Sequence, residues 1–453
     1  MLPIEVYKLD TTLAREDTER ASERWTATMA TQFLASHGVD VNALMAGMQL
    51  DGEKKSSDSS SRESPSPLQL DSIVGVRLPK KPSSPLWDVK IIGGLVSDIV
   101  EHDGVASASL SGRDLKGNGR LLAPSLCHAH VHLDKCFIIQ DEKYSDLTIT
   151  KGDFAEAMAL TGEAKTRFEE EDLLRRGRRL IAESVESGVT MMRAFVEVDE
   201  VVSLKCVQAA IQLKKQYRDI CEIQICAFAQ LPLFAGEDGG KRRRELMEHA
   251  LALPEVEVIG STPYVEEEHD TMRRNITWTI EHALSLQKHL DFHLDYNLTA
   301  EEPPMIWCVM EELRRQSWEG KAGRDMTICL GHCTRLTLFE ASGWRRVKRE
   351  TEGFPVSFIG LPTSDIFIMG RPEEGEDGGS RVRGTLQIPE MINKYGLQGS
   401  FSINNVGNSF TPQGSCDPLS VAALGVGIYQ SGTQQDTELL YVRINKHYPV
   451  DEA

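Results

Sequence analysis

Leu121–Lys135, LLAPSLCHAHVHLDK, is the stretch whose reading decides the fold. An apolar run ends in His128, His130 and His132, and Leu133, Asp134 and Lys135 follow. Side chains on an extended strand alternate with a period of two, so the three histidines are expected on one face. Neutral imidazole is the commonest protein ligand for zinc and iron, and His-x-His brings two rings to one ion from a single strand end. One satisfied histidine and two exposed ones would be the plainer reading. It leaves unexplained why all three follow a buried-strand pattern.

Outward from this stretch, strands alternate with helices, which predicts βα units and a parallel sheet. Strands are read at Leu122–His130, Thr190–Phe195, Cys221–Gln230, Val256–Ser261, Leu290–Asp295, Met326–His332, Val356–Leu361 and Phe401–Asn405. Helical periodicity fills Glu169–Ser187, Ser203–Tyr217, Arg242–Leu251, Met272–His289 and Met305–Ser317 between them. Eight such units predict a (β/α)8 barrel of the TIM type. Most of these strands are apolar in the body and polar at the C-terminal end, running into HAHVHLDK, RAFVEVD, AFAQ, FHLDYN, GHCT, GLPTSD and INN. That is the face on which such barrels build their sites.

Upstream, residues 1–50 read as a helical extension and 51–68 as a Ser-rich flexible linker. Residues 69–120 read as a small β-rich subdomain with strands near Ser72–Leu78, Trp87–Ile92 and Leu95–Val100. The barrel is assigned to 121–430, and 431–453 to a C-terminal helix and tail. Two further helices are expected at Ser420–Gln430 and Asp436–Asn445, and Gly370–Arg383 reads as a charged surface loop.

The 453 residues carry a formal charge of −18 and are 40% hydrophobic. A large core is affordable, and a partner made of nucleic acid or anionic membrane is not expected. The basic runs Arg175–Arg179 and Lys241–Arg244 read as solvated helix faces. Nine cysteines include no CxxC pair, which predicts reduced thiols and a soluble, cytoplasmic protein. No apolar run approaches the ~20 residues of a membrane span, and MLPIEVYKLD is too polar for a signal peptide. A homo-oligomer is compatible with all of this.

The candidate metal ligands are His130 and His132 after strand one, His293 after strand five and His332 after strand six. Imidazoles from separate strands can converge on a divalent ion and leave a position open for water, whose pKa such an ion lowers to about 7. His293 and Asp295 fall on one face by the period-two rule.

At this point the chain resembles the amidohydrolase superfamily, and within it the cytosine deaminase-like group. The resemblance rests on His130, His132, Leu133 and Asp134 after an apolar strand, on Ala227–Gln230, on His293 and on Gly331–His332. It spans roughly residues 72 to 430. It implies one divalent metal, zinc or iron, held by His130, His132 and His293, and it leaves His128 a structural residue. It implies that Gln230 binds the substrate amide and that His332 contacts the metal or stabilises a developing oxyanion. No lysine ends strand four, so a bridged two-metal site is not expected.

Two departures stand out. Tyr296 occupies the place of the group's proton-shuttling glutamate, and Asn404 that of the strand-eight aspartate. A neutral amide is a weaker ligand and cannot take the water's proton. Asp295 or Tyr296 is then expected to move protons, with Glu197 and Asp365 as other acids at the rim, and Lys135 as a substrate contact or a partner of Asp134. The expected activity is metal-dependent hydrolysis of a non-peptide C–N bond in a small cyclic amidine or amide. The alternative is a catalytically altered barrel with a binding or non-hydrolytic role, for example in secondary metabolism.

Overall fold

The computed structural model describes residues 70–79, 81, 84–104, 111, 113–236, 238–371 and 382–444. The expected N-terminal extension and linker, residues 372–381 of the charged loop and the last residues of the tail lie outside this set. The chain divides into two compact units between Pro124 and Ser125.

In the first unit, β1 (Ser72–Val76), β2 (Trp87–Ile92), β3 (Leu95–Glu101) and β4 (Asp114–Lys116) form one sheet in the order β3-β2-β1-β4. β1 and β2 pair antiparallel, as do β2 and β3, while β4 lies parallel to β1. Gly93 and Gly94, at φ 60° and 80°, make the two-residue turn between β2 and β3. A hairpin turn with positive φ at both central positions favours glycine. β4 is too short to have left a periodic signal in the sequence.

The second unit is the expected barrel. β5 (Leu126–His132), β6 (Val189–Glu197), β7 (Glu222–Ala229), β8 (Val256–Ser261), β9 (His289–Leu294), β10 (Ile328–His332), β11 (Val356–Gly360) and β12 (Gly399–Phe401) pair in sequence order, all parallel. The last seam closes through a bridge between Val131 and Asn404: Asn404 N donates to His130 O at 3.2 Å, and His132 N donates to Asn404 O at 2.8 Å. The closure therefore ties the histidine strand directly to the end of strand eight.

The five expected helices are present as Glu170–Glu186, Lys205–Tyr217, Lys241–Leu251, His269–Leu286 and Ile306–Arg315. A further helix, Phe154–Lys165, lies between β5 and Glu170–Glu186. The sequence reading passed over it, although Asp153 caps it by accepting from Glu156 N at 2.7 Å, an Asp-x-x-Glu start signal. Pro418–Ile428 and Gln434–Arg443 form the two late helices.

The barrel interior is packed. Phe195, Cys226, Phe228 and Val258 form one cluster, and Ala129, Cys329, Ile359 and Leu361 another. One layer below the histidines Arg193 Nη1 donates to Asp291 Oδ2 at 2.7 Å, with both side chains fully buried. A hydrophobic floor and a paired charge thus support the rim from beneath.

Candidate metal centre

The three histidines of β5 do not share a face. The register against β6 shifts between His128 and Val131, and such a bulge rotates the residues on one side of it relative to the other. His128 turns outward, and its Nε2 lies 3.0 Å from Ser184 Oγ on the neighbouring helix. Burial pushes its imidazole down to about 3. His130 and His132 turn inward, where His293 on β9 meets them.

The ligand atoms of His130, His132 and His293 lie within 4.8 Å of one another. His132 Nε2 and His293 Nε2 are 3.2 Å apart. Two imidazole nitrogens bound tetrahedrally to zinc at ~2.0–2.1 Å would be about 3.3 Å apart. All three rings are buried, and His130 Nδ1 and Nε2, His132 Nδ1, His293 Nδ1 and Asn404 Oδ1 have no hydrogen-bond partner. Native proteins rarely bury several unpaired polar atoms in one place, because each costs about 1–3 kcal/mol. Burial, with smaller contributions from the neighbouring rings and Lys135, holds all three imidazoles well below the usual histidine range. Neutral rings with open lone pairs are what a divalent ion requires, so these residues fit one.

Asn404 reaches this cluster from the seam after β12. Its Nδ2 donates to Ser364 Oγ at 2.6 Å, which leaves Oδ1 as the unpaired atom. His332 stands beside His293, with ring centroids 5.2 Å apart. Its Nδ1 is 2.8 Å from Asp365 Oδ1, and Thr385 Oγ1 donates to the other oxygen of Asp365 at 2.8 Å. Burial raises the pKa of the Asp365 carboxyl. The partner that orients His332 therefore comes from the helix Pro362–Ile368 that follows β11.

Asp295 is not brought into the pocket. β9 ends at Leu294, and Asp295 adopts φ 51°, so the strand alternation has stopped where the sequence reading still applied it. Its oxygens accept from Met305 N at 2.7 Å and Ile306 N at 3.1 Å, at the start of the helix Ile306–Arg315. Tyr296 does reach the pocket, with its ring 4.0 Å from His332, and burial pushes its phenol far up. The hydroxyl thus keeps its proton at any physiological pH.

The pocket above the histidines is walled by Phe154, Tyr264, Tyr296 and Phe410, which meet at centroid separations of 5.7–6.0 Å. Its remaining wall includes Lys135, Gln230, His332, Asn404 and Asn405. Lys135 Nζ donates to Glu197 Oε1 at 2.7 Å and to Gln230 Oε1 at 3.1 Å. Its ion-pair partner is thus Glu197; Asp134 instead accepts from Glu197 N at 2.7 Å. Glu197 Oε2 accepts from Lys165 Nζ at 2.6 Å, and Lys165 also pairs with Asp199. Burial opposes ionisation of Glu197, but the two lysines prevail and hold its carboxyl down at about 2. Lys165 sits on the helix that the sequence reading passed over, so this network was only half visible there.

The basic run Arg175–Arg179, read as solvated, contributes a buried side chain, and so does the acidic run after β8. Arg176, from the basic run, donates to Asp134 O at 2.6 Å and Cys136 O at 2.9 Å, fixing the turn after the histidine motif. Glu266 accepts from Leu233 N at 2.6 Å and from Asn275 Nδ2 at 2.9 Å.

No family model matches the chain. The N-isopropylammelide isopropyl amidohydrolase of Pseudomonas sp. (strain ADP) is 24% identical over 252 residues, which cover 53% of this chain and 57% of that protein. The match thus spans little more than half of that relative's length. Among solved structures, 5-methylcytosine deaminase from Klebsiella pneumoniae liganded with 5-fluorocytosine aligns with a TM-score of 0.68 at 21% identity, covering 81% of this chain and 82% of that one. N-isopropylammelide isopropylaminohydrolase from Burkholderia multivorans aligns with a TM-score of 0.62 at 16% identity, covering 82% and 83%. Guanine deaminase from C. acetobutylicum with bound guanine aligns at 0.53 and 12%, covering 83% and 84%. These neighbours are amidohydrolase-superfamily proteins, and at such identities the likeness shows a common fold. No helix among the described residues is long and apolar enough to cross a membrane.

Proposed function

We propose that this chain is a metal-dependent hydrolase of the amidohydrolase type, cleaving a non-peptide C–N bond in a small cyclic amidine or amide. The observation that carries the proposal is the convergence of His130, His132 and His293, whose ligand atoms lie within 4.8 Å of one another, with His132 Nε2 and His293 Nε2 3.2 Å apart. These residues would hold one divalent ion, zinc or iron, and Asn404 Oδ1 would be a weak neutral ligand beside them. A divalent ion in such a cage supplies Lewis acidity and makes water a nucleophile near neutral pH.

The chain's own groups divide the remaining work. Asp365 fixes the His332 ring through Nδ1, which leaves Nε2 to accept or return a proton on the pocket side. Tyr296 keeps its hydroxyl proton and can donate it to a leaving nitrogen. The aromatic wall shields the site from bulk water, which strengthens every polar contact inside it. Asp295, bound to two backbone N–H groups, is a poor candidate for proton transfer. All nine cysteines are free and buried, which supports a reducing compartment such as the cytoplasm.

A binding or non-hydrolytic role is the second reading. It is favoured by one observation: among the described residues no carboxylate lines the pocket. Metal analysis of the purified protein separates the two. The hydrolase reading expects about one ion per chain, lost in the His130→Ala/His293→Ala variant, and turnover of at least one aminated pyrimidine, triazine or cyclic urea. A wild-type protein with no tightly bound metal would sink it.

A further inference from the structure

The cavity above the histidines is about 10 Å³, which is room for about one water molecule. A ring-shaped ligand cannot enter it unless a wall moves. The aromatic rings identify which one. Phe154 meets Tyr264, Tyr296 and Phe410 at 6.0, 5.7 and 5.9 Å, so it sits among the other three. Tyr296 and Phe410 are buried, whereas Phe154 and Tyr264 reach solvent. Tyr264 stands on the short helix Pro263–Val265 directly after β8, and its flanks are fixed. Thr262 Oγ1 donates to Ala229 O at 2.9 Å on one side, and Glu266 accepts from Leu233 N at 2.6 Å on the other.

Phe154 hangs on a looser support. Thr148–Asp153, just before it, is neither helix nor strand, and Thr148, Thr150 and Lys151 are exposed. The backbone N–H groups of Thr150, Lys151 and Gly152 donate to one carboxylate, Glu156, at 2.8, 2.8 and 2.6 Å. The segment is thus folded onto the first turn of the helix it leads into. Its two ends are anchored: Leu147 packs on the core, and Ala157, Ala164 and Lys165 are buried. A stretch held by exposed hydrogen bonds between fixed ends opens at low cost.

One contact ties this stretch to another part of the rim. Arg371, beyond the helix Pro362–Ile368, donates Nη1 to Lys151 O at 3.0 Å, and its guanidinium lies over Phe367 at 4.6 Å. Gly152 rides directly on that group: at φ 71°, a Cβ there would lie 2.8 Å from Arg371 Nη2. We propose that Thr148–Phe154 is a lid, with Phe154 as its plug and Arg371 as its latch, which lifts to admit a ring-sized ligand and closes over it. Such segments gate many enclosed sites. The lid rests on the hydrolase reading only for what it admits.

Accessibility of the pocket tests this without metal or turnover. Asn405 lines the pocket, and the nine native cysteines are buried, so Asn405→Cys places one reporter thiol beneath the lid. Its reaction with the aromatic disulfide dithionitrobenzoate should be at least a hundredfold slower than in urea-unfolded protein. Adding Phe154→Ala or Arg371→Ala should speed it at least tenfold. Equal rates in the three proteins would overturn the lid, as would a reporter that reacts as fast folded as unfolded. Amide hydrogen exchange gives a second reading should Asn405→Cys not fold. In Arg371→Ala alone, the amides of Thr148–Phe154 should exchange at least tenfold faster than in the wild type while those of β5 keep their rates. An unchanged rate at Thr148–Phe154 would remove Arg371 as the latch. A protein with no tightly bound metal would end the hydrolase reading, and these rates would still decide the lid.

Discussion

Two buried polar regions meet at the rim of this barrel, and they are built on opposite principles. In the histidine cluster, four imidazole nitrogens and the Asn404 oxygen lack partners. In the network beside it, the amine and carboxylate groups of Lys135, Lys165, Glu197 and Asp199 all meet charged or polar partners within hydrogen-bonding distance. Both regions are buried, so the difference is not one of solvent access. An unpaired buried atom is tolerated where a ligand will satisfy it, and a saturated network is what fixes geometry. The cluster receives, and the network holds.

If that division is right, the largest stability effect comes from the network. Glu197→Gln leaves Lys135 and Lys165 without their shared counter-charge, and breaking a buried pair costs about 3–5 kcal/mol. The sign with pH follows from the depressed carboxyl. Its folded value near 2 lies below the unfolded one, so its contribution is present above about pH 4.5 and fades as pH falls toward 2. Urea unfolding at pH 7 should therefore separate wild type and variant widely, and at pH 3 far less. A gap of the same width at both values would remove the ion pair as its cause.

The histidine cluster should behave in the opposite way. Removing a bound ion with a chelator costs only the linkage energy, about 2.7–4.1 kcal/mol at 100 to 1,000 times the dissociation constant. The His130→Ala/His293→Ala variant should show no change in melting temperature on chelation, because it lacks two of the three residues that would hold the ion. A chelator shift persisting in the variant would mean that the ion sits elsewhere.

The cluster was legible in the sequence and the network only in part, for a physical reason. Metal chemistry confines its ligands to few residue types at strand ends, so His130, His132 and His293 could be found along the chain with eight strand patterns to place them. The contacts of Lys135 depend on helix Phe154–Lys165, which carries Lys165 back over the rim; a surface-like lysine at a helix end gives no local sign of that. The same limit applies to Asp365, whose pairing with His332 joins the helix Pro362–Ile368 to the end of β10. The expectation that His128 shares a face with His130 and His132 failed for another reason, although the resemblance had already left it a structural residue. The alternation rule assumes an unbroken ladder, and a bulge in β5 breaks it.

Asp295 is the sharpest test of where the receiving region stops. By alternation it belongs with His293, yet the backbone leaves the strand at Leu294 and its carboxylate closes over the first N–H groups of Ile306–Arg315. Those groups have no partner within the helix, and a side-chain acceptor there is worth about 0.5–2 kcal/mol. Asp295→Ala should thus lose about 1 kcal/mol by chemical denaturation and retain wild-type metal content. Asp295→Asn keeps an acceptor for one N–H and should fall between the two. If instead metal content dropped with Asp295→Ala while stability held, the carboxylate would belong to the centre after all, and the boundary between the two regions would have to be redrawn one residue further along the chain.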